Sequence, residues 1–393
     1  MTAARILMIA TPVPTHFTPL VPLAWALRAL GHDVLVLGQP DIVPAVRSAG
    51  LHAVTAGEPF GIEGYLRSRL RGDQRPLASF PRPAPERMGM FARVWAAHAR
   101  QMLPEYLRLA GTLRPDLIVA DQMEYTALLV GGALGVPVVH HRWGVDGLSG
   151  PALAEARTLL ADLAEDGLPE PDQVLDPCPA TLQTPTAAAG TPIRFVAFNG
   201  SGALPGWTLA GRPPDGTRRV AVSLGSRTLT LNGVPFVRAL LHALGGAAGV
   251  EIVATVEAAH REALGTLPAT VRLVDPTPLQ SFLGSCDAVV HHGGAGTTMT
   301  ATAFGLPQLV LPQLSDTFVT GDRLRETGAG LSLDTLEAQD DPVRIRAALR
   351  ELLDDPAARK AAGLLATEIA AMPPPARVAA DLIHTHVTRG RKP

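Results

Sequence analysis

A short glycine-rich run in the second half of the chain carries the clearest chemical signal, His291-His292-Gly293-Gly294-Ala295-Gly296-Thr297-Thr298. It follows the apolar residues 288–290, which predict a buried strand, and it precedes small residues that predict a helix. Such a strand-to-helix turn presents backbone N–H groups at a helix N-terminus, where they bind anions and most often phosphate. With a histidine and two threonines beside those groups, the run predicts a diphosphate site. A plain tight turn is the alternative, and a Walker loop is excluded because no Gly-Lys-Ser/Thr follows.

The first strand-to-helix loop, residues 11–19, has no glycine and contains one histidine, His16. The lack of glycine argues against a dinucleotide phosphate close to this backbone. A neutral imidazole at the carboxyl end of a strand suits a general base that deprotonates a hydroxyl. Asp121 ends another predicted strand, and its carboxylate would orient that imidazole and stabilise its protonated form. The alternatives are a histidine that packs on the helix start and an aspartate that caps the next helix.

Three polar residues of the second half are further candidates. Asp316 follows a predicted strand, where it would accept hydrogen bonds from sugar hydroxyls or act as a helix N-cap. Ser226 and Arg227 follow the first strand of this half and would contact phosphate, although the arginine also suits a solvated loop. The acidic pairs at 340–341 and 354–355 match helix starts, and no Asp-x-Asp motif typical of a divalent-metal site is found.

The elements that must position these residues follow an α/β pattern, because short apolar runs alternate with helical periods and so predict parallel sheets. The predicted strands are 6–10, 34–37, 51–55, 117–120 and 136–140, then 220–223, 251–256, 271–274, 288–291 and 308–311. A stretch rich in glycine and proline at 196–216 predicts a linker between the two series. Residues 57–90 are rich in proline, arginine and glycine without a period, which predicts a mobile loop.

Two Rossmann-like domains are therefore expected, with residues 1–200 in the first and 201–375 in the second. The three prolines at 373–375 redirect the chain, so the last helix, within 376–393, is expected to cross back onto the first domain. Ligands of such sheets bind beyond the carboxyl ends of the strands. The expected site is the cleft between the two domains.

Composition narrows the classes of function. The chain has 393 residues, 47% hydrophobic and 18% charged, with a net charge of −2. This balance predicts a globular protein and argues against a nucleic-acid partner. The two cysteines have no CxxC spacing and are expected to be reduced thiols. No apolar stretch reaches the roughly 18 residues of a membrane span, and the first apolar run ends at Pro12 without a cleavage pattern. A cytoplasmic protein is expected.

Several longer segments carry a resemblance that spans nearly the whole chain. They are residues 14–32, 141–146, 175–179, 291–297, 305–312 and 371–373. Together they resemble the family-1 glycosyltransferases of GT-B fold, two facing Rossmann-like domains, and in particular the actinobacterial antibiotic enzymes that use TDP-deoxysugars. The spinosyn rhamnosyltransferase type is most similar, and the urdamycin-type C-glycosyltransferases are more distant.

The resemblance implies an inverting transfer from a TDP-deoxysugar to a polyketide or other natural-product aglycone, without a metal or other cofactor. It implies His16 as general base with Asp121 as partner, backbone pairing of the pyrimidine at Thr277, and a sugar contact at Asp316. The donor-binding residues it implies are Ser226, Arg227, Thr277, His292, Gly294, Gly296, Thr297, Thr298, Asp316 and Thr317, and the acceptor-binding residues are Phe17, Arg142 and Trp143. Glutamine usually follows that aspartate in the family; the shorter Thr317 favours a deoxysugar over a fully hydroxylated hexose.

Two other classes of function stay open. A sugar-nucleotide epimerase or hydrolase on the same fold would need further carboxylates in the cleft, for which the sequence offers no convincing set. A silent auxiliary that activates a partner transferase would need neither His16 nor the diphosphate turn. The sequence leaves open the sugar, the aglycone, O- or C-glycosylation, a homodimer and an auxiliary activator protein.

Overall fold

The computed structural model describes residues 3–209, 211–213 and 215–388, without the side chains of Pro85 and Ser226. Within these ranges each half of the chain forms one parallel β-sheet. On strand β1 (Arg5–Ile9), Ile6 and Met8 pack into one apolar cluster, while Leu7 and Ile9 pack into another on the opposite face. Because both faces are covered, an uninterrupted apolar run marks this strand.

The first sheet has seven strands in the order β3-β2-β1-β4-β5-β6-β7. After β1, its strands are β2 (Asp33–Gly38), β3 (His52–Thr55), β4 (Leu117–Asp121), β5 (Val138–His141), β6 (Gln173–Asp176) and β7 (Thr191–Pro192). Its helices are α1 (Pro14–Phe17), α2 (Val21–Ala29), α3 (Val43–Ser48), α4 (Ile62–Arg67), α5 (Pro76–Ser79), α6 (Ala92–Leu113), α7 (Tyr125–Leu134) and α8 (Ser149–Leu159).

The second sheet has six strands in the order β10-β9-β8-β11-β12-β13. The strands are β8 (Arg218–Ser223), β9 (Val250–Thr255), β10 (Val271–Val274), β11 (Ala288–His291), β12 (Gln308–Val310) and β13 (Gly330–Ser332). The helices are α9 (Gly225–Thr228), α10 (Val234–Gly245), α11 (Ala258–Leu264), α12 (Ala295–Ala303), α13 (Thr317–Glu326), α14 (Leu336–Asp340), α15 (Pro342–Asp354), α16 (Pro356–Ala371) and α17 (Pro375–Leu382).

The order of strands reverses once in each sheet, and these reversals position the site. In the first sheet β1 and β4 are neighbours whose following helices leave in opposite directions along the sheet. In the second sheet β8 and β11 have the same relation. A crevice opens at such a point beyond the carboxyl ends of the two strands, and ligands bind there. Asp121 ends β4 and His292 follows β11, while His16 and Arg227 lie on the short helices that follow β1 and β8.

All ten predicted strands are confirmed, with ends within two residues of those expected. Three strands, β6, β7 and β13, were not predicted. They have two to four residues each, too few to establish a pattern, and pairing with a neighbouring strand defines them. The predicted starts of α15 and α16 are confirmed, because Asp341 accepts a hydrogen bond from the N–H of Val343 and Asp355 accepts one from Ala357.

The segment 57–90 differs from the irregular loop that its composition predicts. It contains α4 and α5, and its arginines contact the second half of the chain. Arg67 donates to the carbonyl of Thr230, 2.7 Å away, and Arg82 forms ion pairs with Asp322 and Asp334. Helices of four to six residues leave too short a period to read from sequence, and contacts with the other domain fix them.

The linker packs against both halves of the chain, whereas the last helix packs on the first half. Phe198 packs edge-on against Trp25 of the first half, whereas Trp207 packs against Phe282 of the second. Ala210 and Pro214 of the predicted linker lie outside the described residues. Helix α17 packs on α2, and Val378 joins the apolar cluster beneath β1. Residues 389–393 of the predicted crossing segment also lie outside the described ranges.

The two halves share an apolar contact. Val145 and Leu182 of the first half cluster with Met299 and Leu324 of the second. Cys178 and Cys286 are both buried free thiols. In the described ranges, no helix combines the length and apolar character needed to cross a membrane.

Candidate active site

His16 lies on α1, at the mouth of the crevice in the first sheet. Its Nδ1 is 2.6 Å from Oγ1 of Thr11. Its ring stacks on the indole of Trp143 with centroids 3.8 Å apart, and meets Trp95 edge-on at 5.8 Å. Burial, with the charge of Arg227, lowers the pKa of His16 well below its ordinary value. The imidazole is therefore neutral at physiological pH and able to accept a proton.

Asp121 is fully buried and reaches His16 only through Thr11. Its Oδ2 accepts hydrogen bonds from the backbone N–H of Thr11 at 2.6 Å and from the Thr11 hydroxyl at 3.0 Å. Its Oδ1 accepts from the N–H of Met123. Glu124 caps α7, so the alternative that Asp121 caps this helix is wrong. The expected direct contact between carboxylate and imidazole is corrected to an indirect one.

The glycine turn has the geometry of an anion site. β11 ends at His291, Gly293 adopts a φ of +92°, and Gly294 is the N-cap of α12. A Cβ on Gly293 would lie 2.8 Å from the carbonyl oxygen of Thr317, so this position requires glycine. Gly294 has no side chain to bond the first N–H groups of α12, which have no partner within the helix. These N–H groups and the helix dipole favour a bound anion.

His292 lies between two glycines. A Cβ would fall 2.8 Å from its Cε1 if placed on Gly225 and 2.6 Å from its Nε2 if placed on Gly294. Burial and the charge of Arg227 lower the pKa of His292 to about 4, although the nearby backbone of Ser223 acts in the opposite direction. The ring is therefore neutral at physiological pH. It offers one N–H donor at a site where the glycines allow close approach.

The two threonines after the turn differ in what they offer. Thr297 is half-buried, and its hydroxyl has no hydrogen-bond partner in the part of the chain that the structure describes. Thr298 is buried, and its hydroxyl donates to the carbonyl of Gly294 at 3.0 Å. The Thr298 hydroxyl is thus engaged within its own helix, and its contact with the diphosphate stays a prediction. Gly296 faces Asn199 of the linker, whose Nδ2 would lie 3.9 Å from a Cβ at that position.

Arg227 and Asp316 are the charged groups beside the turn. Arg227 is half-buried and forms no ion pair with the described residues, although the charges of Glu63 and Asp316 act on it. Asp316 is the N-cap residue of α13, yet its carboxylate makes no capping hydrogen bond. Ser315, which has a φ of +59°, donates to it. Burial raises the pKa of Asp316 above its ordinary value. The helix-cap alternative for this side chain is wrong.

Thr317 and Thr277 use their hydroxyls locally. The Thr317 hydroxyl donates to the carbonyl of Leu314, and the residue packs beneath Gly293. The predicted ligand contact of the Thr317 side chain stays a prediction. Thr277 follows β10, is buried and donates to the carbonyl of Asp275 at 2.9 Å. Its predicted role concerns the backbone and stays a prediction. The side chain of Ser226 lies outside what the structure describes.

Of the predicted acceptor-binding residues, only Trp143 has a ring that stacks on the imidazole of His16. Phe17 is fully buried in the apolar cluster beneath β1. Arg142 is also buried, where it pairs with Asp146 at 2.9 Å and Asp176 at 2.6 Å. The predictions for Phe17 and Arg142 are corrected because both side chains are buried away from an acceptor, and Arg142 is paired with two carboxylates.

Three residues of the site were not predicted from the sequence. Thr11 is the first polar residue after β1, and nothing else in the sequence marks it as part of the site. Trp95 on α6 gives no local signal for its contact with His16. Asn199 accepts a hydrogen bond from Thr300 of α12 at 3.2 Å, across the boundary between linker and second half. Among the described residues, no group of three or more His, Cys, Asp or Glu side chains is placed to hold a metal ion.

Comparison with known proteins matches both halves of the chain. The family model described as "Erythromycin biosynthesis protein CIII-like" matches residues 25–225 with its N-terminal domain and residues 238–385 with its C-terminal domain. The L-demethylnoviosyl transferase of Streptomyces niveus is 39% identical, over 96% of this chain and 97% of that protein. The elloramycin glycosyltransferase of Streptomyces olivaceus is 35% identical, over 97% of each chain.

Solved structures show the same arrangement. The spinosyn rhamnosyltransferase SpnG is 36% identical with a TM-score of 0.86, over 97% of this chain and all of that one. It has also been solved with thymidine diphosphate and with the spinosyn aglycone. The glycosyltransferase SsfS6 of Streptomyces sp. SF2575, complexed with thymidine diphosphate, is 28% identical with a TM-score of 0.81, over 97% of this chain and all of its own.

Proposed function

We propose that this protein, which belongs to the erythromycin biosynthesis protein CIII-like family of glycosyltransferases, transfers a deoxysugar from a TDP-sugar to a natural-product aglycone. Its two parallel-sheet domains and the likeness to SpnG confirm the predicted GT-B fold. Relatives named for deoxysugar transfer and structures solved with thymidine diphosphate support this donor.

One observation carries the donor half of the proposal: four kinds of donor converge at the glycine turn. They are the first N–H groups of α12, the neutral ring of His292, the free hydroxyl of Thr297 and the unpaired guanidinium of Arg227. A glycosyl diphosphate develops negative charge on the phosphate as it leaves, and donors fixed in advance stabilise that charge. Arg227 supplies the positive charge that a metal ion supplies elsewhere. We therefore propose that transfer needs no divalent metal, so that activity persists in EDTA.

The proposed reaction inverts the anomeric centre in a single displacement. Nε2 of His16 takes the proton of the acceptor hydroxyl while that oxygen bonds to the anomeric carbon. The bond from this carbon to the β-phosphate oxygen breaks, and TDP leaves with the electron pair. The histidine and the diphosphate site belong to different domains, so the reaction requires both to face one sugar.

The sugar contact is proposed for the carboxylate of Asp316, which is next to the turn and free of a capping hydrogen bond. The Thr317 hydroxyl donates to the carbonyl of Leu314. The loop therefore offers one carboxylate, that of Asp316, whereas a longer polar side chain at position 317 would add a second polar group. This arrangement suits a sugar with fewer hydroxyls. The acceptor is proposed to lie against Trp143 and Trp95, whose rings flank His16.

Thermal unfolding with added nucleotides tests the donor half. TDP at a hundred times its dissociation constant should raise the free energy of unfolding by about 2.7 kcal/mol. UDP, ADP and NAD at the same concentration should stabilise the protein less. Stabilisation by NAD and not by TDP would contradict the proposal. In EDTA, loss of transfer that Mn²⁺ restores would contradict metal independence.

A further inference from the structure

Thr11 is placed between the catalytic base and a buried carboxylate by the strand register. Ile9 of β1 pairs with Ala120 of β4, so the residues just beyond the two strands lie side by side. Thr11 is fully buried there. Its Oγ1 is 2.6 Å from Nδ1 of His16 and 3.0 Å from Oδ2 of Asp121. One hydroxyl thus touches both groups, which have no direct contact.

A hydroxyl has a single proton, and this restricts the direction of the two hydrogen bonds. An ionised Asp121 can only accept, so the Thr11 hydroxyl must donate to it. The Thr11 oxygen then accepts from Nδ1–H of His16. Because a neutral imidazole has one ring proton, Nε2 is left with a free lone pair. If Asp121 is protonated and donates to Thr11, both hydrogen bonds reverse direction and the ring proton moves to Nε2.

We propose that Thr11 is a positioning residue whose hydroxyl couples the charge of Asp121 to the tautomer of His16, so that Nε2 is the base in glycosyl transfer. The inference rests on the proposed role of His16. During transfer the acceptor proton moves to Nε2, and the imidazolium keeps its Nδ1–H bond to Thr11. The Thr11 hydroxyl continues to donate to Asp121, whose negative charge stabilises the cation through the intervening group. After the products leave, Nε2 returns its proton to water.

The groups around Asp121 set the pH at which the two hydrogen bonds of Thr11 reverse direction. Burial, with the nearby carboxylate of Glu124, raises the pKa of Asp121 to about 7. Glu124 itself has its pKa raised to about 7 by burial. Burial raises the pKa values of Tyr106 on α6 and Tyr125 on α7 far above the ordinary value of tyrosine, so both side chains are uncharged. His98 of α6, 3.8 Å from Glu124, has its pKa lowered to about 4 by burial and is neutral as well.

The fall in transfer rate on the acid side of the pH profile should therefore follow the protonation of Asp121. Arg227 and burial hold the pKa of His16 well below its ordinary value, so protonation of the imidazole comes at lower pH. As pH falls through about 7, Asp121 gains a proton, the hydrogen-bond chain reverses and the rate falls. Without the Thr11 hydroxyl this dependence has no path to His16.

The test compares Thr11→Val, which keeps the shape and removes the hydroxyl, with Thr11→Ser, which keeps the hydroxyl. For Thr11→Val, kcat should fall about ten- to a hundredfold, the range for losing a hydrogen bond to a charged system. The KM of the donor should change little, and the acid limb should shift to lower pH, where His16 itself gains a proton. Thr11→Ser should recover most of the rate and the parental acid limb. Asp121→Asn removes the negative charge and its titration, so it should likewise lower kcat and move the acid limb to lower pH.

His16→Ala, measured in parallel, separates this inference from the proposed function. If His16→Ala keeps parental transfer, the role of His16 as base fails. If His16→Ala is inactive while Thr11→Val keeps both the parental kcat and the parental acid limb, the coupling through Thr11 alone is overturned. TDP affinity reports folding of each variant. Should Thr11→Val not fold, Asp121→Asn with a parental rate and acid limb overturns the inference.

Discussion

The imidazoles of His16 and His292 are neutral for the same reason and have opposite roles in the proposed mechanism. Burial and the positive charge of Arg227 lower the pKa of both rings. His16 uses the neutral form to accept a proton from the acceptor, whereas His292 uses it to donate a hydrogen bond to phosphate. Arg227 thus lies within electrostatic reach of both walls, and its own charge stays available to the diphosphate.

Asp316 should separate sugar recognition from nucleotide binding. Its carboxylate is free of a capping bond and is proposed to accept hydrogen bonds from the sugar. Asp316→Asn should reduce kcat/KM by about ten- to a hundredfold, the loss of one charge-assisted hydrogen bond, while TDP affinity stays nearly constant. Asp341→Asn makes the same change of carboxylate to amide at the N-cap of α15, where asparagine still caps the helix, and serves as the matched control. Equal loss of TDP affinity and transfer for Asp316→Asn would show that the residue has a structural role.

At the scale of elements, the sequence predicts what depends on local pattern and misses what depends on tertiary contact. The turn after β11 was predictable because its glycines are required by backbone approach and by the φ of Gly293. His16 and Asp121 were predictable from their positions after strands. The link through Thr11 was not, since it depends on the register between β1 and β4. Arg142 was misassigned because its partners Asp146 and Asp176 come together only in the fold.

The turn itself offers a second prediction. Gly293→Ala places a Cβ 2.8 Å from the Thr317 carbonyl oxygen in addition to the strain of a positive φ. The turn must shift, so TDP affinity should fall at least about tenfold, the equivalent of one or two lost hydrogen bonds. Gly135→Ala is the matched control, because Gly135 also has a positive φ but open space around its Cβ position. Isothermal titration of TDP should show near-parental affinity for Gly135→Ala; near-parental affinity for Gly293→Ala as well would contradict the role of the turn.

At the scale of the whole molecule, two strand-order reversals face one another and each supplies half of the site. The segment after β1 and the end of β4 hold the base and its positioning groups, and the segments after β8 and β11 hold the donors for phosphate. Arg82 and Arg67 tie the segment 57–90 of the first half to the second. These contacts keep the two walls of the site together in the described arrangement.

Buried titratable groups should make the folded protein sensitive to acid. Five histidines have their pKa lowered by burial, to about 3 or 4: His98, His140, His141, His291 and His292. Between about pH 4 and 6.5 the unfolded chain binds protons that these folded histidines do not, so their contribution to stability is lost as pH falls. Asp121 and Glu124, with pKa values raised to about 7, act in the opposite direction.

Burial also lowers the pKa of His16, His32 and His386 and raises that of Asp316. With eight histidines against three carboxylates, the free energy of unfolding should be lower at pH 5 than at pH 7. Denaturant unfolding at pH 7, 6 and 5 measures this directly. An unchanged or rising stability toward pH 5 would mean that these histidines are more hydrated than their burial indicates.

The most direct test of the account is sugar transfer by His16→Ala, measured beside its affinity for TDP. Removal of a positioned general base costs about a hundredfold to ten-thousandfold in rate. We predict a loss in this range with TDP affinity within about twofold of the parent, because the phosphate donors belong to the other domain. His52→Ala, at an exposed position on β3, should keep parental values of both quantities. Transfer by His16→Ala at a near-parental rate would contradict the central claim that His16 is the base.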